Sequence, residues 1–300
     1  MALSVCIPTY NRLPHFKKFI DSFRKGIGSY PYEIIVADGG STDGTIEYLK
    51  KQKDVKLIEQ GKLTGSIKAF NTCFKQAKYE FIFWPSDDFI VNAEELIKCC
   101  NLMEKYPEIG MISPKLVETK RFNYPNIGTW KHKLVLSKTH VFRTSVLKEI
   151  GFLNEEFRTY YIDVDSHLAV LDKGYVTMFT KGIGVYHTRI EDETRESNVF
   201  SNELVKKEEE FYNKKWKYLD AGLSTSSFKI KKAFLFWSLH NKLRDSRIFQ
   251  SLMKREQPFA TNLFDWILQR CLIFEAVEYR GLKGFYLAQK IPKIKRNNKT

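Results

Sequence analysis

No run of about 18 consecutive apolar residues occurs in this 300-residue chain, so the sequence holds no candidate helix for crossing a bilayer. The opening stretch Met1–Tyr10 lacks the charged start of a secretory signal and is too short for one, which sets the expectation of a cytoplasmic protein. Cysteine is sparse and odd in number. The 5 thiols, Cys6, Cys73, Cys99, Cys100 and Cys271, have neither zinc-site spacing nor the pairing of a disulfide framework, and read as reduced, mostly buried side chains. Internal repeats and low-complexity segments are absent. So are GxGxxG and Walker sequences, which disfavours NAD and P-loop chemistry.

Apolar residues and positive charge are both abundant. A hydrophobic content of 43% supports one large α/β domain, or a domain of about 200 residues with an appendage. The net charge of +14 is uneven, with about +11 of it falling in 228–300. The chain therefore divides into a near-neutral body, 1–220, and a basic, aromatic-rich and helical C-terminal region, 221–300. In that region "KKAFLFWSLHNKLRDSRIF" interleaves aromatic residues with Lys and Arg at helical spacing, as a helix lying on an anionic membrane surface requires. Core packing or a dimer face accounts for the aromatic residues equally well. The oligomeric state is open.

Strand and helix patterns alternate along the body. "LSVCIPTY", Leu3 to Tyr10, reads as a strand, followed by a helix carrying Phe16, Phe19, Ile20 and Phe23, with Asn11 available as its N-cap. Glu33 to Ala37 is a second strand, "DGGSTDGT" its loop, and Thr42 or Asp43 the cap of a helix bearing Ile46 and Leu49. Val55 to Ile58, the helix in "GSIKAFNTCFKQA", the strand Phe81 to Trp84 and the helix "AEELIKCCNLMEKYP" continue the plan. Such βαβ units build a mostly parallel sheet whose strand-end loops collect in one crevice. "PTYNR", "DGGSTDG" and "PSDD" are therefore expected to face one another, with Asp38 able to accept hydrogen bonds from a base or ribose. The adjacent carboxylates Asp87 and Asp88 need a counter-charge there, either a divalent metal or basic side chains.

In this order, "CIPTYNR", "IIVADGGSTDGT", "GSIKAFN", "PSDD", "IGFLNEEFRTYYIDVDSHLAV" and "GVYHT" resemble the family 2 glycosyltransferases of the GT-A fold, over roughly residues 1 to 190. The resemblance implies that Pro8, Thr9, Tyr10, Asn11 and Arg12 line a nucleotide pocket with Asp38, Gly39, Asn71, Ser86 and Asp87. It further implies that Asp87 and Asp88, with His187, hold Mg²⁺ or Mn²⁺ against a donor diphosphate. Pro85 stands where many members have the first Asp of the metal motif. A sugar hydroxyl is a weak nucleophile and needs a base, for which "YYIDVDSH" offers Asp163 and Asp165. On the family motif Ile162 replaces the usual Glu, and Asp163 takes the base position. The implied activity is inverting transfer of a single sugar from a nucleotide-diphosphate sugar, weakly UDP, to a hydroxyl of a glycan or lipid-linked acceptor. Processive members usually carry Gln-x-x-Arg-Trp and membrane spans, and neither is here.

Structural readings stand beside each motif. "DGGSTDG" also suits an ordinary βα turn, Asp87 and Asp88 the start of a helix, Asp163 and Asp165 solvated caps, and His187 a satisfied structural histidine. The segment "NIGTWKHKLVLSKTHVFRTSVLKEIGF" is expected to face the acceptor, with Trp130 able to stack on a sugar. Three rival functions remain: a sugar-nucleotide nucleotidyltransferase, whose Gly-rich basic loop is missing; a nucleic-acid binder, for which no module is recognisable and no nucleic acid is expected; and a catalytically degenerate GT-A protein.

Overall fold

The protein is described from a computed structural model that covers residues 1–118, 124–126, 128–129, 135–136, 138–158, 160–188, 202–217 and 286–289. Strand β1 (Leu3–Thr9) and strand β2 (Tyr32–Asp38) are nearly continuous runs of buried residues, as strands covered on both faces must be. Helix α1 (Leu13–Ile27) joins them. Its buried stripe is Phe16, Phe19, Ile20, Phe23 and Ile27, Pro14 lies in its first turn, and Gly28 ends it at φ 58°. Helix α2 (Thr45–Lys50), strand β3 (Val55–Glu59), helix α3 (Ser66–Lys75) and strand β4 (Phe81–Trp84) follow as the patterns require.

Beyond β4 come β5 (Phe89–Val91), α4 (Ala93–Lys105), β6 (Ile109–Glu118), β7 (Tyr124–Asn126), β8 (Gly128–Thr129), β9 (Val135–Leu136) and β10 (His140–Arg143). Then follow α5 (Thr144–Glu149), α6 (Ile162–Asp172), β11 (Val176–His187), α7 (Asn202–Lys215) and β12 (Tyr286–Gln289). The main sheet runs β12-β11-β6-β10-β4-β1-β2-β3, while β8 and β9 pair separately. From β3 to β4 every pairing is parallel; β10 is antiparallel to both neighbours, and β6 and β11 are again parallel. The sheet is thus parallel through its βαβ half and mixed beyond it.

One apolar layer packs α1 and α4 on the sheet through Phe16, Phe19, Phe23, Leu96 and Met103. The opposite layer holds Phe70, Phe74, Trp84, Phe142, Leu168 and Tyr212, so α3, α6 and α7 cover that face. Of the C-terminal region expected to be helical, the described residues are Tyr286–Gln289, a strand on the edge of β11. The rest of 221–300 lies outside the described residues, as does Trp130 in the acceptor-facing segment.

Candidate active site

The β1 and β2 loops are tied together atom by atom. Asn11, at φ 50°, donates its backbone N–H to the Ser41 hydroxyl at 2.9 Å, and its side-chain oxygen accepts from the Thr42 N–H at 2.7 Å. It therefore staples two loops rather than capping α1, whose N-cap residue is Arg12. Asp43 takes over at both helix starts, accepting from Leu13 N–H at 2.9 Å and from Thr45 N–H at 3.1 Å. Asp38 is fully buried and accepts from the N–H groups of Gly40 and Ser41 and from the Ser41 hydroxyl, at 2.8, 2.7 and 2.6 Å. Its oxygens thus shape the loop itself. Gly40 sits at φ +92°, and a Cβ there would come within 2.8 Å of the Gly61 carbonyl, so only glycine fits. Beside it, the Gly39 N–H donates to the Thr9 carbonyl, and the Tyr10 ring packs over Gly39. Pro8 pairs in register with Ala37 one step earlier.

The two carboxylates meet different partners. Asp87 accepts from the Thr9 hydroxyl at 3.0 Å and from the Arg12 guanidinium at 2.9 Å, so the β1 loop answers one charge with a cation. Burial nevertheless leaves the Asp87 carboxyl above its ordinary range, Arg12 pulling it down and Asp88 pushing it up. Asp88 faces the His187 ring at 3.1 Å. Burial works against its ionisation, and His187, the Ser86 hydroxyl and Arg12 overcome that and hold it well below the usual carboxylate range. Antiparallel pairing of β5 with β11 aligns Phe89 with His187, and the Asp88 carbonyl accepts from both the N–H and the hydroxyl of Thr188.

A hydrogen-bonded Asp88 and His187 form a donor set of one hard oxygen and one imidazole. Neighbouring ligands of an octahedral ion at about 2.1 Å lie roughly 3 Å apart, so once His187 Nε2 gives up the hydrogen it shares with Asp88, the separation of the pair suits two adjacent positions of Mg²⁺ or Mn²⁺. Among the described residues no three His, Cys, Asp or Glu side chains converge on one point, which excludes there a closed protein cage of the structural zinc type.

Asp163 and Asp165 diverge, because two positions along an α-helix are separated by about 200°. Asp163 is part-exposed at 27% and lies 3.5 Å from Nε2 of His140, a residue whose strand partner is Trp84 at the end of β4. This places Asp163 on the carboxylate side of the sheet. Asp165 points into α7, where Lys215 Nζ lies at 2.7 Å from one oxygen and the Trp216 indole N–H donates at 2.8 Å. Burial raises its carboxyl, partly offset by Lys215 and Trp216. Asn71 is turned to the 153–155 segment: its amide donates to the Leu153 carbonyl and to Glu155, and accepts from the Leu153 N–H.

The family model described as Glycosyl transferase family 2 matches residues 4–153, half of the sequence. The chain belongs to glycosyl transferase family 2. The poly(ribitol-phosphate) beta-N-acetylglucosaminyltransferase TarS of Staphylococcus aureus is 24% identical over 219 residues, 68% of this chain and 38% of TarS. The crystal structure of S. aureus TarS 1-349 in complex with UDP-GlcNAc superposes with a TM-score of 0.55 at 17% identity, covering 96% of this chain and 99% of that one. The mannosyltransferase PcManGT from Pyrobaculum calidifontis, in complex with GDP-Man and Mn²⁺, gives a TM-score of 0.53 at 14% identity, covering 90% and 86%. At these identities the likeness establishes the fold, GT-A. The chain spans between 26 and 39% of the length of the curated relatives it matches.

For this family 2 chain, the matched region stops before Asp163, and several residues that support the site are silent in the sequence. Glu208, buried on α7, accepts from the N–H groups of Arg158 and Tyr160, both at 2.7 Å, and so anchors the loop entering α6. His140 and His167 meet Asp163 from within the core, and the Ser113 hydroxyl bridges the two rings. Their separation in sequence leaves no local pattern to read.

Proposed function

We propose that the chain is an inverting glycosyltransferase that moves one sugar from a nucleoside-diphosphate sugar to a hydroxyl of a glycan or lipid-linked acceptor. The observation that carries this reading is the convergence of the Thr9–Arg12–Asp87 cluster with the Asp88–His187 pair at one sheet edge. A UDP-sugar is preferred as donor, supported by the UDP-GlcNAc in the TarS structure. Pro8 to Arg12, Asp38, Gly39 and Ser86 border the nucleotide, while Asn71 sets α3 against the 150–155 segment that leads to the base. Asp88 and His187, with Asp87 behind them, would hold Mg²⁺ or Mn²⁺, which when bound offsets the charge of the leaving diphosphate.

Asp163 accepts the proton of the attacking hydroxyl as the new bond forms at the anomeric carbon and the bond to diphosphate breaks. A single displacement inverts that centre, and such a base contributes on the order of 10²- to 10⁴-fold. The catalytic unit extends to about residue 220, since α7 supports α6 through Glu208, Lys215 and Trp216. Region 221–300 supplies positive charge suited to an anionic membrane surface carrying a lipid-linked acceptor.

Nucleoside diphosphate release from a panel of nucleotide sugars, with and without Mn²⁺ and with donor binding read in the same samples, tests the proposal. One donor is expected to turn over and to fail in Asp87→Ala and in Asp163→Asn. Absence of binding for every donor would overturn it.

A further inference from the structure

From the Asp163 carbonyl a chain of hydrogen bonds runs through His167 and Ser113 to His140, and its polarity can be deduced. The Asp163 carbonyl can only accept, so the His167 Nδ1 that lies 3.0 Å from it carries a hydrogen. His167 is fully buried, and burial together with the neighbouring His140 pushes its ring far below the ordinary imidazole range, so it is neutral and its Nε2 is bare. Ser113 has one hydrogen and directs it to that Nε2 at 3.3 Å. The serine oxygen then accepts from His140 Nδ1 at 2.9 Å, which fixes a hydrogen on that nitrogen. A neutral His140 is thereby left with a bare Nε2, which has no hydrogen-bond partner among the described residues and stands 3.5 Å from Asp163 Oδ1. That gap is longer than an ordinary hydrogen bond, and a hydrogen on Asp163 directed at the bare nitrogen would supply the donor that the contact lacks.

We propose that His140 is a positioning residue for Asp163, its tautomer set by the Ser113–His167 chain so that a bare nitrogen waits for the proton Asp163 removes from the acceptor. This rests on the transferase reading above. The proton leaves the acceptor hydroxyl for Asp163 as the glycosidic bond forms and the diphosphate departs with the electron pair of the broken bond. The new carboxyl O–H then donates to His140 Nε2, which stabilises the protonated base and therefore strengthens it. The groups facing His140 are Asp163 and His167 of α6, Ser113 of β6, the Trp84 ring of β4 at 5.2 Å and the Phe142 ring of its own strand at 5.8 Å. The chain of bonds has a second use: it ties the first turn of α6 to β6 and β10, so the base is held on two strands.

Two measurements on the full chain test this. In ¹⁵N-imidazole NMR, with the resonances assigned by their loss in His140→Gln, His140 is expected as the neutral Nδ1-protonated tautomer at neutral pH. An Nε2-protonated ring or an imidazolium overturns the proposal, whether or not any sugar is transferred. In pH–rate profiles, His140→Phe is expected to lower kcat about 2- to 10-fold with the donor KM little changed, and to move the acid limb of kcat/KM to lower pH by up to about one unit. His140→Gln, which keeps an acceptor oxygen near the Nε2 position, is expected to recover most of the loss. An unchanged limb, or a shift to higher pH as removal of a cationic partner would give, overturns the proposal. Failure of the glycosyl-transfer reading shows separately in the donor panel, because the ring tautomer is read without turnover.

Discussion

Asp163 and Asp165 stand two residues apart, yet their surroundings separate their roles. Asp163 is part-exposed beside His140 Nε2, whereas Asp165 is buried with its oxygens turned to Lys215 and Trp216. Asp163→Asn is expected to abolish transfer with almost no change in melting temperature. Asp165→Asn is expected to keep measurable transfer while costing about 1 to 2 kcal/mol, because Lys215 loses its partner but can turn toward water. Activity and thermal unfolding of the two variants check this, and the opposite pattern would exchange the roles. From the sequence, both were acids near a helix start. Which one faces the crevice depends on the rotation of α6, and that is set by Leu168, Val170 and Leu171 packing into the core.

The elements carry two further tests. Asp54, just before β3, accepts from Arg24 of α1 and from the Tyr32 hydroxyl of β2. Burial would raise its carboxyl, but Arg24 and Tyr32 more than reverse this and leave it below its ordinary value. A depressed carboxyl stabilises the fold fully above the unfolded value of about 3.9, and that contribution is lost as pH falls through the folded value. Asp54→Asn is therefore expected to cost about 0.5 to 1 kcal/mol at pH 7, reduced by the 30% exposure of the pair, with urea titrations of variant and parent converging below about pH 4. Glu208→Ala strips the partner from two backbone N–H groups ahead of α6, and is expected to cost about 1 to 3 kcal/mol and to lower kcat through a loosened base loop. Gln at the same position, which can still accept, should lose less. Apart from the short β5, the strands and helices of the first 105 residues were legible because apolar period and turn residues are local signals. The β5–β11 pairing and the α7 clamp were not, since each joins segments far apart in the chain.

At the scale of the whole molecule, charge is the property with the longest reach. No helix among the described residues is long and apolar enough to cross a membrane. The excess of about +11 over 228–300 is expected to give binding to vesicles containing anionic lipid that weakens as salt rises, and no binding to neutral vesicles. Cosedimentation at two ionic strengths checks it, and salt-independent binding would point instead to apolar insertion. The sequence by itself determined the βαβ half of the sheet, the three loops at its strand ends and the family, because burial, turn chemistry and motif order are written in adjacent residues. It also raised, without answering, what neutralises Asp87 and Asp88. Only the tertiary structure decided that Arg12 meets Asp87, that His187 meets Asp88 and that His140 stands behind Asp163. A counter-charge in a buried site is chosen by distance across the sheet, and strand order places residues 75 to 99 positions apart within a hydrogen bond of each other.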